Sequence, residues 1–173
     1  MLLRARRVQG IVYLSSEIAL YESEGAVIEN LNITNVLAGG LPTVTTYLPG
    51  TNQFAIGVST EPTKLRIINR AGVFVRDIDF APIGLGCVHP VAYADPEQSG
   101  AGQFLVFDYF STCAFVTDPY GNLLAEFDYR AELGLSEVSG ACAITTGRQA
   151  GAFAVVDENN NKLVTFRLVE CRR

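Results

Sequence analysis

The chain repeats itself. Gln53-Phe54-Ala55-Ile56 returns as Gln103-Phe104-Leu105-Val106 and again as Ala152-Phe153-Ala154-Val155. The phenylalanines stand 50 and then 49 residues apart. A period near fifty residues, carried by short apolar runs, marks an array of β-sheet units. One such unit cannot bury both of its faces, so it has to stack on neighbours. Few constraints on a fold are stronger, because every apolar run must then find its cover in the adjacent unit.

The segment from His89 to Tyr129 shows the grammar of one unit. Pro90-Val91-Ala92-Tyr93-Ala94 predicts a first strand of small residues, and Asp95 to Gly102 a turn-rich loop. Gln103–Asp108 and Cys113–Thr117 predict the second and third strands. Asp118-Pro119-Tyr120-Gly121 has the residue types of a type I turn, and Asn122 to Tyr129 follows as a fourth strand. The unit before it reads Thr43–Tyr47, Gln53–Val58, Lys64–Ile68, a turn ending at Gly72, and Val73–Phe80. Two partial copies flank these. Gly10–Ser15, Ile18–Tyr21, a turn ending at Gly25 and Ala26–Ile33 match the last three strands. Gly140–Ile144, Ala152–Asp157 and Lys162–Leu168 match the first three. The expected units are therefore 8–33, 42–80, 89–129 and 139–168, within one domain spanning 1–173.

Second strands such as Phe104-Leu105-Val106-Phe107 are apolar on both faces. A strand exposed on one side alternates, so these must be covered on both. Sheets stacked about an axis, as blades of a β-propeller, meet that demand. Small residues at Thr43-Val44-Thr45, Val91-Ala92 and Gly140-Ala141-Cys142-Ala143 suit the crowded strands nearest such an axis. Helix is expected only as brief turns, at Ala19–Ala26 and over Tyr129–Glu137, with one short helix in Asp128–Leu135.

Composition excludes several classes. A net charge of −5 argues against nucleic acid, which requires a basic surface. Arg4, Arg6 and Arg7 form the one basic cluster and suit a solvated edge. No apolar run reaches the roughly 18 residues of a membrane span, and no signal peptide is expected at Met1. The compartment stays open. Cys87, Cys113, Cys142 and Cys171 lack C-x-x-C spacing, so zinc is not expected and buried free thiols are.

With its Pro-led first strand and Gly-x-x-x-Val-x-Asp second strand, the unit resembles the NHL-like repeats of six-bladed, TolB-like β-propellers. Pro90, Gly102, Val106, Asp108, Asp118 and Gly121 carry the resemblance, with Val155, Asp157, Asn160, Lys162 and Leu163 in the last copy. Val91, Cys113 and Ser59 depart from it, the last by replacing a strand-end Asp. Fourteen expected strands make an incomplete ring. Closure by a second copy, by further sequence, or as a compact four-bladed monomer with Met1–Val8 as closing strand all fit. A homodimer is expected to be two-fold symmetric.

Candidate site residues are few. His89, Glu137 and Ser139 lead into inner strands and are expected near the axis, where a ligand would sit. Asp108 and Asp157 end second strands and are expected to accept backbone N–H bonds at the turns. Gly25, Gly72 and Gly121 are expected as turn residues. No G-x-S-x-G frame or EF-hand loop occurs. The expected role is a non-catalytic scaffold, without cofactor, that binds a protein or small ligand on one face or in the axial tunnel. The alternative is a hydrolase or lactonase holding Ca²⁺ or another divalent metal at the axis.

Overall fold

A computed structural model describes residues 10–14, 17–21, 27–145 and 147–168. The expected features at Met1–Val8, Arg4, Arg6, Arg7, Gly25 and Cys171 lie outside the described residues. The described chain is all-β. It forms four antiparallel sheets, each an uninterrupted meander of consecutive strands.

The first sheet holds β1 (Gly10–Leu14), β2 (Glu17–Tyr21) and β3 (Val27–Asn32). The second holds β4 (Pro42–Leu48), β5 (Gln53–Val58), β6 (Glu61–Asn69) and β7 (Phe74–Asp79). The third holds β8 (Val88–Ala94), β9 (Gln103–Asp108), β10 (Cys113–Thr117) and β11 (Leu123–Asp128). The fourth holds β12 (Val138–Ala143), β13 (Phe153–Asp157) and β14 (Lys162–Phe166). Short connections separate them: α1 (Thr34–Leu37), a 3₁₀ turn at Ala81–Ile83, and α2 (Tyr129–Leu133), whose first N–H groups bond to the Asp128 carboxylate. The Arg66 guanidinium ties the Val36 carbonyl of α1 to Glu61 and Asp77 of the second sheet.

Three apolar cores fill the spaces between successive sheets. Ile18, Leu20 and Leu31 meet Phe54, Ile56 and Val58 between the first two. Ala55, Leu65 and Ile67 meet Phe104, Val106 and Phe115 between the second and third. Leu105, Phe107 and Val116 meet Phe153 and Val155 between the third and fourth. Side chains alternate along a strand, so β5 and β9 each serve two cores at once. Burying one such Leu or Phe contributes about 1.5–3 kcal/mol, so a central sheet covered on both faces gains twice what an end sheet does. Outer strands β7 and β11 are mostly exposed and end on charge, as befits sheet edges.

The strand that opens each sheet packs against the one that opens the next: β1 against β4, β4 against β8, and β8 against β12. No packing of that extent joins β12 back to β1 among the described residues. Small side chains allow the close approach.

Several boundaries differ from expectation. His89 lies inside β8 rather than ahead of it, and Ser139 lies inside β12, which begins at Val138. The cause is a bulge. In β4, β8 and β12 the first strand carries one residue more than its partner, at the same place. That extra residue re-aims the chain and lets pairing resume upstream of the apolar run. Ala19–Tyr21 is strand, not a helical turn, because Ile18 and Leu20 are held between two partner strands and face a core. The turn at α1 has no sequence signal: its N-cap Ile33 offers no side-chain bond. Cys87, Cys113 and Cys142 are free thiols, but none is buried as expected: Cys87 and Cys113 are partly exposed and Cys142 is exposed. It sits on the side of the fourth sheet that nothing in the described chain covers.

Candidate functional site: a cleft between the third and fourth sheets

Two repeated aspartates shape the end of the stack where first strands begin and second strands finish. Asp108 closes β9 and is buried. The Gly86 and Cys87 N–H groups donate to its Oδ1 at 3.2 and 2.8 Å, and the Ser111 hydroxyl donates to its Oδ2 at 2.7 Å. Asp157 closes β13 in the same way. It accepts from the Ser136 and Glu137 N–H groups at 3.2 and 3.3 Å, from the Ser136 hydroxyl at 2.7 Å and from the Asn160 amide at 2.7 Å. Each carboxylate thus latches the entry of the first strand to the turn after the second. Backbone N–H groups of that turn were the expected donors; instead the turn supplies side-chain donors, Ser111 and Asn160, and the backbone donors come from across the sheet, because the carboxylates face the entry of the first strand. A burial-starved N–H pair costs about 1–3 kcal/mol per unpaired group, which is what the latch prevents.

The second sheet solves the same problem differently. Its β5 register places Val58, not Ser59, opposite Pro42, where the others pair Asp108 with Val88 and Asp157 with Val138. Ser59 stands one residue further on, and its hydroxyl accepts the Leu41 N–H at 2.9 Å. The sequence alignment that put Ser59 in the Asp position is therefore one residue out.

The charge-assisted bonds at Asp157, led by the Asn160 amide and then Ser136, hold its carboxyl far below the usual carboxylate range. A folded-state pKa below the unfolded value of about 3.9 means the stabilisation is complete above pH 4 and is lost as pH falls below it. Thermal melts followed by circular dichroism from pH 7 to pH 2 check this. Asp157→Asn is expected to melt lower at pH 7 and to lose less on acidification than the parent. Parallel pH curves would remove Asp157 from the acid limb.

Between the two latches lies an open cleft of about 520 Å³. Its wall is aromatic on one side. The His89 ring meets Tyr109 edge-on, with centroids 5.4 Å apart, and Tyr109 meets Phe110 edge-on at 5.4 Å. Tyr109 is 61% exposed and Phe110 75%. The other side is polar. Glu137 accepts from the Asn159 amide at 2.9 Å, and Arg130 bridges the rim to the Ser136 carbonyl at 3.2 Å. Tyr129 lines the cleft below Ser111, to whose carbonyl its hydroxyl donates at 3.3 Å, and burial pushes the Tyr129 phenol up. Burial, then the Asp108 charge, also pushes up the Cys87 thiol behind the cleft.

Of the expected site residues, His89 and Glu137 come together in this cleft, and Asp108 lies in its lining. Asp157 stands behind it and holds the Glu137 backbone. Ser139 does not line it: half-buried in β12, it is one residue beyond the rim at Val138. Gly72 and Gly121 do not line the cleft; they stand at the β6–β7 and β10–β11 turns, both with positive φ. Sequence reasoning passed over Tyr109, Phe110 and Arg130. The signal was present in the repeat. The residue after each latch position donates its N–H to the carbonyl before the first strand: Ser59 to Leu41, Tyr109 to Cys87, Glu158 to Glu137. Aligned on that bond, Tyr109-Phe110 stands where the other units have Ser59-Thr60 and Glu158-Asn159. Two exposed rings replace two polar side chains. Among the described residues, no three His, Cys, Asp or Glu converge as a metal site would require, and no helix is long and apolar enough to cross a membrane.

No family model matches the chain, and no curated protein matches it. Solved structures do. The crystal structure of Kluyvelomyces marxianus Hsv2 matches with a TM-score of 0.51 at 12% identity, over 92% of this chain and 46% of that one. The likeness is one of fold. The chain spans less than half the length of that protein.

Proposed function

We propose that the chain is a non-catalytic array of β-propeller-type blades that seats a small ligand, or a side chain of a partner protein, in the cleft between its third and fourth sheets. One observation carries this: Tyr109 and Phe110 expose their rings into a polar cleft at a turn where the equivalent residues are hydrophilic. Large apolar groups left in water cost free energy unless something covers them, and a concave site with a few placed polar groups is the usual form of a ligand seat. His89 supports the Tyr109 ring, and Glu137 and Arg130 supply opposite charges at the rim. The inner-strand bulge that carries His89 aims it toward this seat.

Hydrolysis at an axial metal finds less support. The strand-end acids Asp108 and Asp157 already accept three and four hydrogen bonds, which leaves little lone-pair capacity for an ion, and Glu137 is then the one other acid in the cleft lining.

The test is amide chemical-shift mapping with a fragment library, and separately with Ca²⁺. Fragment-induced shifts are expected to cluster on Tyr109–Thr112 and Ser136–Val138 and to vanish in the Tyr109→Ala, Phe110→Ala double variant. Ca²⁺ is expected to move none of these amides. Hits clustering elsewhere would displace the cleft as the seat. A stoichiometric Ca²⁺ response at Asp108 or Asp157 would favour the metal hydrolase instead.

A further inference from the structure

Among the described residues, four aromatic rings stand well exposed: Phe74, Tyr109, Phe110 and Tyr120. Two of them are covered by a cation of this chain. The Arg66 guanidinium lies over Phe74, 5.7 Å from the ring centroid, and Arg76 lies over Tyr120 at 5.2 Å. A positive group within about 6 Å of an aromatic ring is drawn to the negative face of its π-system. Tyr109 and Phe110 have no such cover among the described residues. Arg130 is the one guanidinium in the cleft lining, and it donates to the Ser136 carbonyl instead.

Ring geometry keeps the faces available. His89 and Tyr109 meet at 86° between ring planes, and Tyr109 and Phe110 at 78°. Stacked rings would hide one face of each, whereas a perpendicular pair hides a face of only one. Two near-right angles in succession make the three rings the walls of an open corner.

The charge around that corner has the sign a cation needs. Asp108 and Glu137 line the cleft, and Asp157 stands behind Glu137. Asp108 and Asp157 are bonded by neutral donors, namely backbone N–H groups, serine hydroxyls and the Asn160 amide, so neither charge is cancelled. Glu137 spends one oxygen on the Asn159 amide. The Tyr129 phenol in the same wall responds to this balance. Burial leads the rise in its pKa; Arg130 opposes the rise, and Glu137, Asp128 and Asp108 add to it.

The supply of acceptors narrows the kind of cation. A primary ammonium brings three N–H donors that need partners, and the oxygens of Asp108 are already taken. An alkylated ammonium needs none, so ring faces and one carboxylate suffice. We propose that the ligand of the cleft carries an alkylated ammonium group, seated on the open faces of Tyr109 and Phe110 with Glu137 as its counter-charge. This rests on the cleft being the ligand seat, as proposed above, and adds the chemistry of what sits there.

Choline is the probe, with dimethylbutanol, in which carbon replaces the charged nitrogen, as its neutral isostere. Both are titrated to about 50 mM into the labelled protein at constant ionic strength, and amide shifts are followed. Choline is expected to saturate shifts at Tyr109–Thr112 and Ser136–Val138, and the isostere to bind about tenfold more weakly. The Tyr109→Leu, Phe110→Leu double variant keeps apolar bulk but loses the ring faces. It is expected to weaken choline about tenfold and to leave the isostere within about twofold. Glu137→Gln keeps an oxygen for Asn159 and is expected to weaken choline about threefold. A short peptide carrying one trimethyllysine separates the two sources of such a group. Tighter binding of the peptide than of choline assigns it to a partner's side chain, and the reverse to a free small molecule. Equal affinity for choline and the isostere would overturn the proposal, as would choline binding that survives the double variant. If neutral fragments cluster in the cleft while choline moves none of its amides, the cation falls and the seat stands. If neither binds there, both fall.

Discussion

Phe104→Ala is expected to destabilise the protein by about 3–5 kcal/mol, the range for removing a fully buried ring from a packed core. Phe104 has no exposed surface and stacks against Tyr93 with centroids 4.7 Å apart. It fills the space between the second and third sheets with Phe80 and Phe115. Four strands above and below are hydrogen-bonded into ladders, so the walls of the resulting cavity cannot collapse far. For a chain of this size the loss lowers the melting temperature by roughly 10 °C. Phe110→Ala is the control. Its ring is 75% exposed, and its removal is expected to cost no more than about 0.5 kcal/mol. Equal melting temperatures for the two variants would contradict the stacked-sheet core.

Gly121→Val is expected to cost about 2–6 kcal/mol, from two terms that add. The turn between β10 and β11 holds Gly121 at φ +91°, a conformation that a β-branched residue adopts only under strain of about 1–3 kcal/mol. A Cβ there would also stand 2.6 Å from Ile78 Cγ2, a buried atom of the second sheet, and overpacking of that kind costs about 1–3 kcal/mol. Gly134→Ala separates the terms. Gly134 has φ +65° with open space where its Cβ would lie, so only the backbone cost of about 1 kcal/mol is expected. Chemical denaturation of the three proteins reads the difference. If Gly121→Val and Gly134→Ala were equally destabilised, the contact between the β10–β11 turn and the second sheet would carry no energy.

The contrast between these two glycines shows what a sequence pattern reaches. Asp118-Pro119-Tyr120-Gly121 announces a turn through local chemistry, and the Asp118 carboxylate does bond the Tyr120 and Asn122 N–H groups. Nothing local says that Ile78, 43 residues earlier, lies against it. The same holds at the cleft. His89 and Glu137 stood out because each precedes or begins a first strand, a feature of the repeat itself. Tyr109 and Phe110 did not, because two aromatic residues in a run of apolar strands look like core until a neighbouring sheet fails to cover them. Arg130 gave no signal at all: its place at the rim depends on α2 turning the chain back between two sheets.

The four meanders, their order and the double cover of β5 and β9 were legible along the chain alone. Those follow from short-range facts, the two-residue alternation of strands, turn chemistry and a fifty-residue period, all readable along the chain. The one-residue bulges in β4, β8 and β12, the reach of Asp108 and Asp157 across their sheets, and the exposure of Tyr109, Phe110, Val156 and Leu163 emerged from the packed sheets. These depend on which surfaces meet and which are left without a neighbour. Burial is a property of the assembled stack, and a residue's type alone does not encode it.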